Sequence, residues 1–371
     1  MKIATYNIQN LFHRDRSLND KSYGKCVTDW INELDDLMRG NNRTTNHKER
    51  IQELVFLLGF DKTLQAPYAV LRRKAGFLFL KGKEYSKELC ANEMTDWNGW
   101  ITLQTTPIDS VAIKNKARVI TDVNPDILLL QEIEDRASLE EFNAQLLSEF
   151  DGEPFQEIAV VQGSDKRGQE MGLLLKNGHR IKSISTHQFD IDNSQNPKKE
   201  FFQYEIETNT KQTIILLAAQ LQKETDDKKL TDAYRKLQAE QIANVYQKLI
   251  KDGYKSIIIA GTLNAVSYCD SLSPLLRKTD LKDVTKHQKF NVDFDEGSDA
   301  DYFRLGAYRL GVNIKQRDYL LLSPDLFAQA KLCGLNRKGI LPRKRPIWKV
   351  YPDMHSKRQA ASEHPLVWVG L

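Results

Sequence analysis

The sequence lacks the features that would place it in a class at once. Its four cysteines, Cys26, Cys90, Cys269 and Cys333, lie far apart and none falls in a CxxC pair. That spacing suggests neither a zinc site nor a disulfide framework, and it predicts free thiols in a reducing compartment. No apolar run approaches the roughly 20 residues that cross a bilayer. The opening MKIATYNIQNLF has no long apolar stretch of the signal-peptide kind and already reads as a strand. A cytoplasmic protein without a membrane partner is the expectation. Net charge is only +4, so the total does not announce nucleic-acid binding and any basic surface must be local. Internal repeats and low-complexity tracts are absent as well.

What is there is ordinary globular material. The 371 residues are 40% hydrophobic and 28% charged, with fifteen Phe and five Trp, enough apolar mass for a sizeable core. Apolar or β-branched runs closed by turn residues predict strands at 2–8, 126–131, 155–162, 171–175, 180–187, 201–207, 213–221, 256–260, 318–323 and 365–369. Helical spacing fits 22–38, 46–58, 109–122, 138–148 and 231–251. The last of these puts Leu237, Ile242, Val245 and Leu249 on one face.

Paired runs such as 156–175 and 201–221 imply antiparallel hairpins, while 231–260 reads as a helix feeding a strand. An α/β architecture of two face-to-face sheets with helices outside buries these runs most simply. Residues 13–107 break the rhythm with two helices and Trp- and Asn-containing segments. They read as an inserted helical subdomain or cap within a single domain.

Polar groups stand where apolar packing should end. Asn7 closes the first strand, Gln131-Glu132 closes PDILLLQEIED, and Gln220 closes IILLAAQL. Thr262 and Asn264 follow IIIAG, Asp318 opens DYLLLSP, and Glu363-His364 precede the last strand in AASEHPLVWVGL. Each has a structural reading by itself: a turn Asn, a Glu paired with a surface Lys, a His fixed in a turn. Together they resemble the endonuclease/exonuclease/phosphatase superfamily of Mg²⁺-dependent phosphoesterases. The pieces TYNIQNLF, NPDILLLQEIED, QGSDKRGQEMGLLL, LLAAQLQ, IIIAGTLNA, RDYLLLSP and AASEHPLVWVGL occur in that superfamily's order. They cover residues 1–12 and about 111–371.

The resemblance implies a four-layer α/β sandwich and a divalent ion, Mg²⁺ or Mn²⁺, held by Glu132 with Asn7 and Glu363. It implies catalytic roles for His364, oriented by Asp318, and for Asn264. Gln220, Thr262 and Arg167 would face the substrate. Three departures matter: GDxN is GTLN, with Thr262 for the acid; HL is QL, with Gln220; and SDH is SEH, with Glu363. A Thr hydroxyl cannot take a proton from water as a carboxylate can, and Gln cannot titrate near neutral pH.

Three readings stand: a metal-dependent phosphodiesterase, nuclease-like, with attenuated or altered chemistry; a non-catalytic relative that binds nucleic acid or a phosphorylated ligand; and a phosphatase of small or lipid-borne phosphates. The basic stretch 331–358, with Arg337, Lys338, Arg343, Lys344, Arg345, Lys349, Lys357 and Arg358 around Trp348 and Tyr351, would suit a polyanion.

Overall fold

In the central strands both faces are apolar, and period-two alternation sends each face to a different core. Ile3, Leu129, Leu173, Leu216, Ile258, Leu320 and Val367 meet in one core. Their neighbours Ala4, Leu128, Leu130 and Leu366 pack in a second, and Ile215, Leu217, Ile257, Ile259, Tyr319 and Leu321 in a third. The first core lies between two sheets, and the other two lie under helices.

The computed structural model describes residues 1–15, 26–39, 44–60, 69–75, 79–81, 89–91, 98–103, 105–150, 152–161, 163, 169–190, 200–225, 227–291, 316–342 and 348–371. They form two compact units, Met1–Phe12 with Ile108–Leu371, and His13–Pro107.

In the first unit a seven-stranded sheet runs, edge to edge, Phe290–Asn291, Leu332–Asn336, Leu366–Gly370, Lys2–Asn7, Ile127–Ile133, Glu170–Leu175 and Glu157–Val161. The six-stranded sheet runs Arg180–Gln188, Glu200–Glu207, Thr213–Gln220, Ile257–Thr262, Asp318–Leu322 and Lys282–Asp283. Helix Ser110–Val123 and the shorter Arg136–Glu141 cover the larger sheet. Helix Lys228–Lys251 covers the smaller one and links two parallel strands, Thr213–Gln220 and Ile257–Thr262. The result is a four-layer α/β sandwich.

Most predicted strands stand within two residues of their expected bounds, with both hairpins antiparallel. Three differences have physical causes. Strand Leu332–Asn336 lies inside the basic stretch 331–358, where no strand was expected, because LCGLN is too short and too rich in Gly and Asn to signal a strand alone. Leu237 is 44% exposed. The buried face of its helix instead carries Thr231, Arg235, Gln238, Ala239, Ile242, Tyr246 and Leu249. The helix expected at 138–148 is a short α-helix continued by a π-helical turn at Phe142–Leu146.

The unit His13–Pro107 has strands as well as helices. Helices Cys26–Arg39 and Thr45–Leu57 pack through Ile31, Leu34 and Met38 against Ile51, Leu54 and Val55. Three short antiparallel pairs accompany them, the longest joining Ala69–Ala75 to Asn98–Leu103. Among the described residues no helix is long and apolar enough to cross a membrane.

Candidate active site

The same alternation that builds the inter-sheet core delivers the polar residues. Following Ile3, Leu129, Leu216, Ile258 and Leu320 along their strands in steps of two leads to Asn7, Gln131, Gln220, Thr262 and Asp318. The parallel strands end, and the antiparallel strand Asp318–Leu322 begins, at one edge of the sandwich. There each strand replaces its next core residue with a polar one.

Glu132 should point the other way, since it follows Gln131 in the strand. The ladder breaks at this point. Glu170 pairs with Ile133 and Met171 with Gln131, so Glu132 is the extra residue of a bulge and its backbone is left-handed, φ 59°. Gln9, Asn10 and Asn264 share that uncommon conformation, so four non-glycine left-handed residues gather in the segments that carry the site. Gly261 is required where it is. Its φ is 135° and a Cβ there would fall 2.0 Å from the Ala219 carbonyl oxygen.

One continuous hydrogen-bonded chain runs through the cluster. The Gln220 Nε2 donates to Glu132 Oε1 at 2.6 Å, and Asn7 Nδ2 donates to the same oxygen at 3.0 Å. Asn7 Nδ2 also reaches the Thr262 hydroxyl at 3.2 Å. That hydroxyl donates to Asp318 Oδ1 at 2.8 Å, and His364 Nδ1 sits 2.9 Å from both oxygens of Asp318. Asn7, Thr262 and Asp318 are all buried, at 0%, 0% and 2% exposure. Thr262, which takes the place of a carboxylate in the resembled pattern, is thus the link between the Glu132 half and the His364 half.

Burial pushes the His364 imidazole down, but the Asp318 charge and hydrogen bond, with a smaller pull from Glu132, outweigh it; the net shift is upward from the ordinary value. His364 therefore holds its proton more tightly than a free histidine. Nδ1 faces Asp318, which leaves Nε2 as the nitrogen turned away from the carboxylate.

The remaining predicted residues lie apart from that chain. Asn264 donates through Nδ2 to the Leu221 carbonyl at 2.8 Å. Glu363 is exposed and its carboxylate pairs with Lys357 at 2.6 Å. Arg167 lies outside the described residues, as do Arg343, Lys344 and Arg345. The aromatics of the basic stretch face inward. Tyr351 is buried and bonds Asp122, while Trp348 donates to two backbone carbonyls and lies under the Arg337 guanidinium, 4.5 Å from its ring centroid. These contacts pack the segment down.

Four contributors were given no site role from the sequence. The Gln9 side-chain oxygen accepts from the Glu363 backbone amide and lies 3.3 Å from the Ser362 hydroxyl, and the Gln9 backbone amide donates to Asn7 Oδ1. Ser362 also donates to the Asn7 carbonyl at 2.7 Å. The Gln131 amide oxygen lies 3.4 Å from the Thr262 hydroxyl, whose proton goes to Asp318. Lys116, fully buried in the helix beneath, donates to the carbonyls of Ile8 and Ala361. Only Gln131 and Ser362 had any signal, as neighbours of residues already singled out.

Among solved structures, the chain's likeness is to endonuclease/exonuclease/phosphatase proteins. A truncated TDP2 from Caenorhabditis elegans is 16% identical with a TM-score of 0.45, over 70% of this chain and 90% of that one. An endonuclease/exonuclease/phosphatase from Bacteroides vulgatus gives 15% and 0.45 over 69% and 89%. A mannosyl-6-phosphatase from Bacteroides thetaiotaomicron gives 14% and 0.43 over 68% and 88%. No family profile and no curated protein matches the chain.

Proposed function

We propose that this chain is a member of the endonuclease/exonuclease/phosphatase superfamily that hydrolyses a phosphoester, a phosphodiester such as nucleic acid or a phosphomonoester, at the Glu132–His364 cluster. The observation that carries the proposal is the buried His364–Asp318 pair joined, through Thr262 and Asn7, to the carboxylate of Glu132.

Glu132 brings a carboxylate, and the side chains beside it, Asn7 and Gln220, carry amide oxygens and no sulfur or imidazole, a donor type that suits a hard divalent ion such as Mg²⁺ or Mn²⁺. Among the described residues no three His, Cys, Asp or Glu side chains form a metal-binding group. The ion would rest on Glu132 as its protein carboxylate, oriented by Asn7 and Gln220. Mg²⁺ sites of this kind keep several waters and take phosphate oxygens from the substrate. Bound, such an ion neutralises charge on the phosphoryl oxygens.

His364, which Asp318 makes hold its proton more tightly than a free histidine, offers Nε2–H to a phosphoryl or leaving oxygen as an acid. Asp318 holds the ring and stabilises its charge, and Thr262 holds Asp318. Within the cluster, Thr262, Asn7 and Gln220 cannot take a proton from water at neutral pH. Turnover should accordingly be slow. The same observation favours a second reading, a member that binds a phosphorylated ligand without cleaving it.

The test is a panel of single- and double-stranded DNA, RNA, a chromogenic phosphodiester and a phosphomonoester, each with Mg²⁺ or Mn²⁺. Hydrolysis that stops with chelator and returns with added metal is the expected outcome. Binding without release of product, under every condition, would favour the second reading.

A further inference from the structure

We infer that Gln220 is a direct ligand of the divalent ion, so that the ion is held by a carboxylate oxygen of Glu132 together with the amide oxygen of Gln220. This rests on the reading that Glu132 carries an ion, and it assigns to Gln220 a role different from contact with substrate.

The Gln220 side chain is 5% exposed at the end of strand Thr213–Gln220. Its amide touches the Glu132 carboxylate at 2.6 Å. A carboxylate only accepts, so the touching atom must be the nitrogen, and the amide cannot be flipped without setting oxygen against oxygen. The amide oxygen is thereby fixed as the atom left over. It is buried and has no hydrogen-bond partner among the described residues.

Buried carbonyl oxygens without a partner are uncommon, and each calls for a reason. Donors exist close by but are turned elsewhere. Thr262, which lies opposite Gln220 in the ladder, gives its hydroxyl proton to Asp318. The amide of Asn7 serves Glu132 and Thr262. The Gln220 amide lies against the Glu132 carboxylate through its nitrogen, and an amide oxygen with a carboxylate oxygen is the donor type that a hard cation takes. With no nitrogen or sulfur in the set, the ion would be Mg²⁺, Mn²⁺ or Ca²⁺ rather than Zn²⁺.

The experiment is calorimetric titration of Mn²⁺ into the full chain without substrate, for wild type, Gln220→Ala, Gln220→Glu and Glu132→Gln, each with its melting temperature with and without Mn²⁺. We expect Gln220→Ala to weaken Mn²⁺ about tenfold. Gln220→Glu should bind more tightly, because it places two carboxylates together, and Mn²⁺ should raise its melting temperature more than that of wild type. Wild-type affinity in Gln220→Ala, with affinity lost in Glu132→Gln, would overturn the ligand role alone and leave a bridging water as the explanation. If Gln220→Ala does not fold, an unchanged affinity in Gln220→Glu overturns it equally. A wild type that binds no Mn²⁺ would remove the ion from Glu132 as well.

Discussion

Replacing Asp318 by Asn is expected to lower kcat by ~10²–10⁴, the usual worth of a positioned proton donor or base, with little loss of fold. Asn has the same shape and can still accept the Thr262 hydroxyl. It cannot hold an imidazolium, because its amide nitrogen would face Nδ1 and favour the wrong tautomer of the ring. The pH dependence separates this from simple unfolding. In the native protein the activity carried by protonated His364 is full below the ordinary value of about 6.5 and falls as pH rises through the raised one. In Asp318→Asn burial is opposed only by the weaker pull of Glu132, so the fall moves to lower pH. The same sign holds for stability: the pair's contribution to folding is complete below about 6.5 and is lost as pH climbs through the raised value. Rate profiles and urea unfolding over pH 5–9 check both, and an unshifted profile in the variant would count against the role of Asp318.

Replacing Lys116 by Met is expected to destabilise the protein by about 3 kcal/mol, a large share of the ~5–15 kcal/mol typical of a domain. Lys116 is fully buried, and its ammonium bonds the carbonyls of Ile8 and Ala361. Those atoms belong to the two segments that carry Asn7 and His364. Methionine fills similar volume but leaves both carbonyls without this donor inside the protein, at ~1–3 kcal/mol each. Relief of the buried charge offsets part of that cost. The neighbouring Asn115, which bonds the Gln359 carbonyl, gives a weaker hold on the same segment. Thermal and urea melts of Lys116→Met measure the loss, and stability equal to wild type would show that the ammonium is not the fastening.

How much of this was legible in the sequence depends on the range of the interaction. Runs such as DILLL and TIILLAA read as strands because both faces are buried, and the polar residue ending each run marked the site edge before any coordinates. Glu132 was found from its neighbours, but the bulge that turns it inward depends on pairing with Glu170 and Met171. Lys116 looked like any helical lysine, since its two partners are more than a hundred residues away in the chain. Leu237 was placed on the buried face because apolar spacing cannot tell a helix's core side from a chance surface Leu. Thr262 read as a loss, a missing carboxylate. In the fold its hydroxyl accepts from Asn7 and donates to Asp318, a pairing of roles that a carboxylate next to Asp318 could not fill without a proton.

The central claim is that Glu132 and His364 act as one unit on a phosphoester. A double-mutant cycle in kcat/KM with Glu132→Gln and His364→Asn, on whichever substrate of the panel turns over fastest, tests it most directly. Residues acting together lose their effect together, so the double variant should fall within a few-fold of the worse single one. Losses that multiply, or a wild type that turns over no phosphoester in Mg²⁺ or Mn²⁺, would contradict the account.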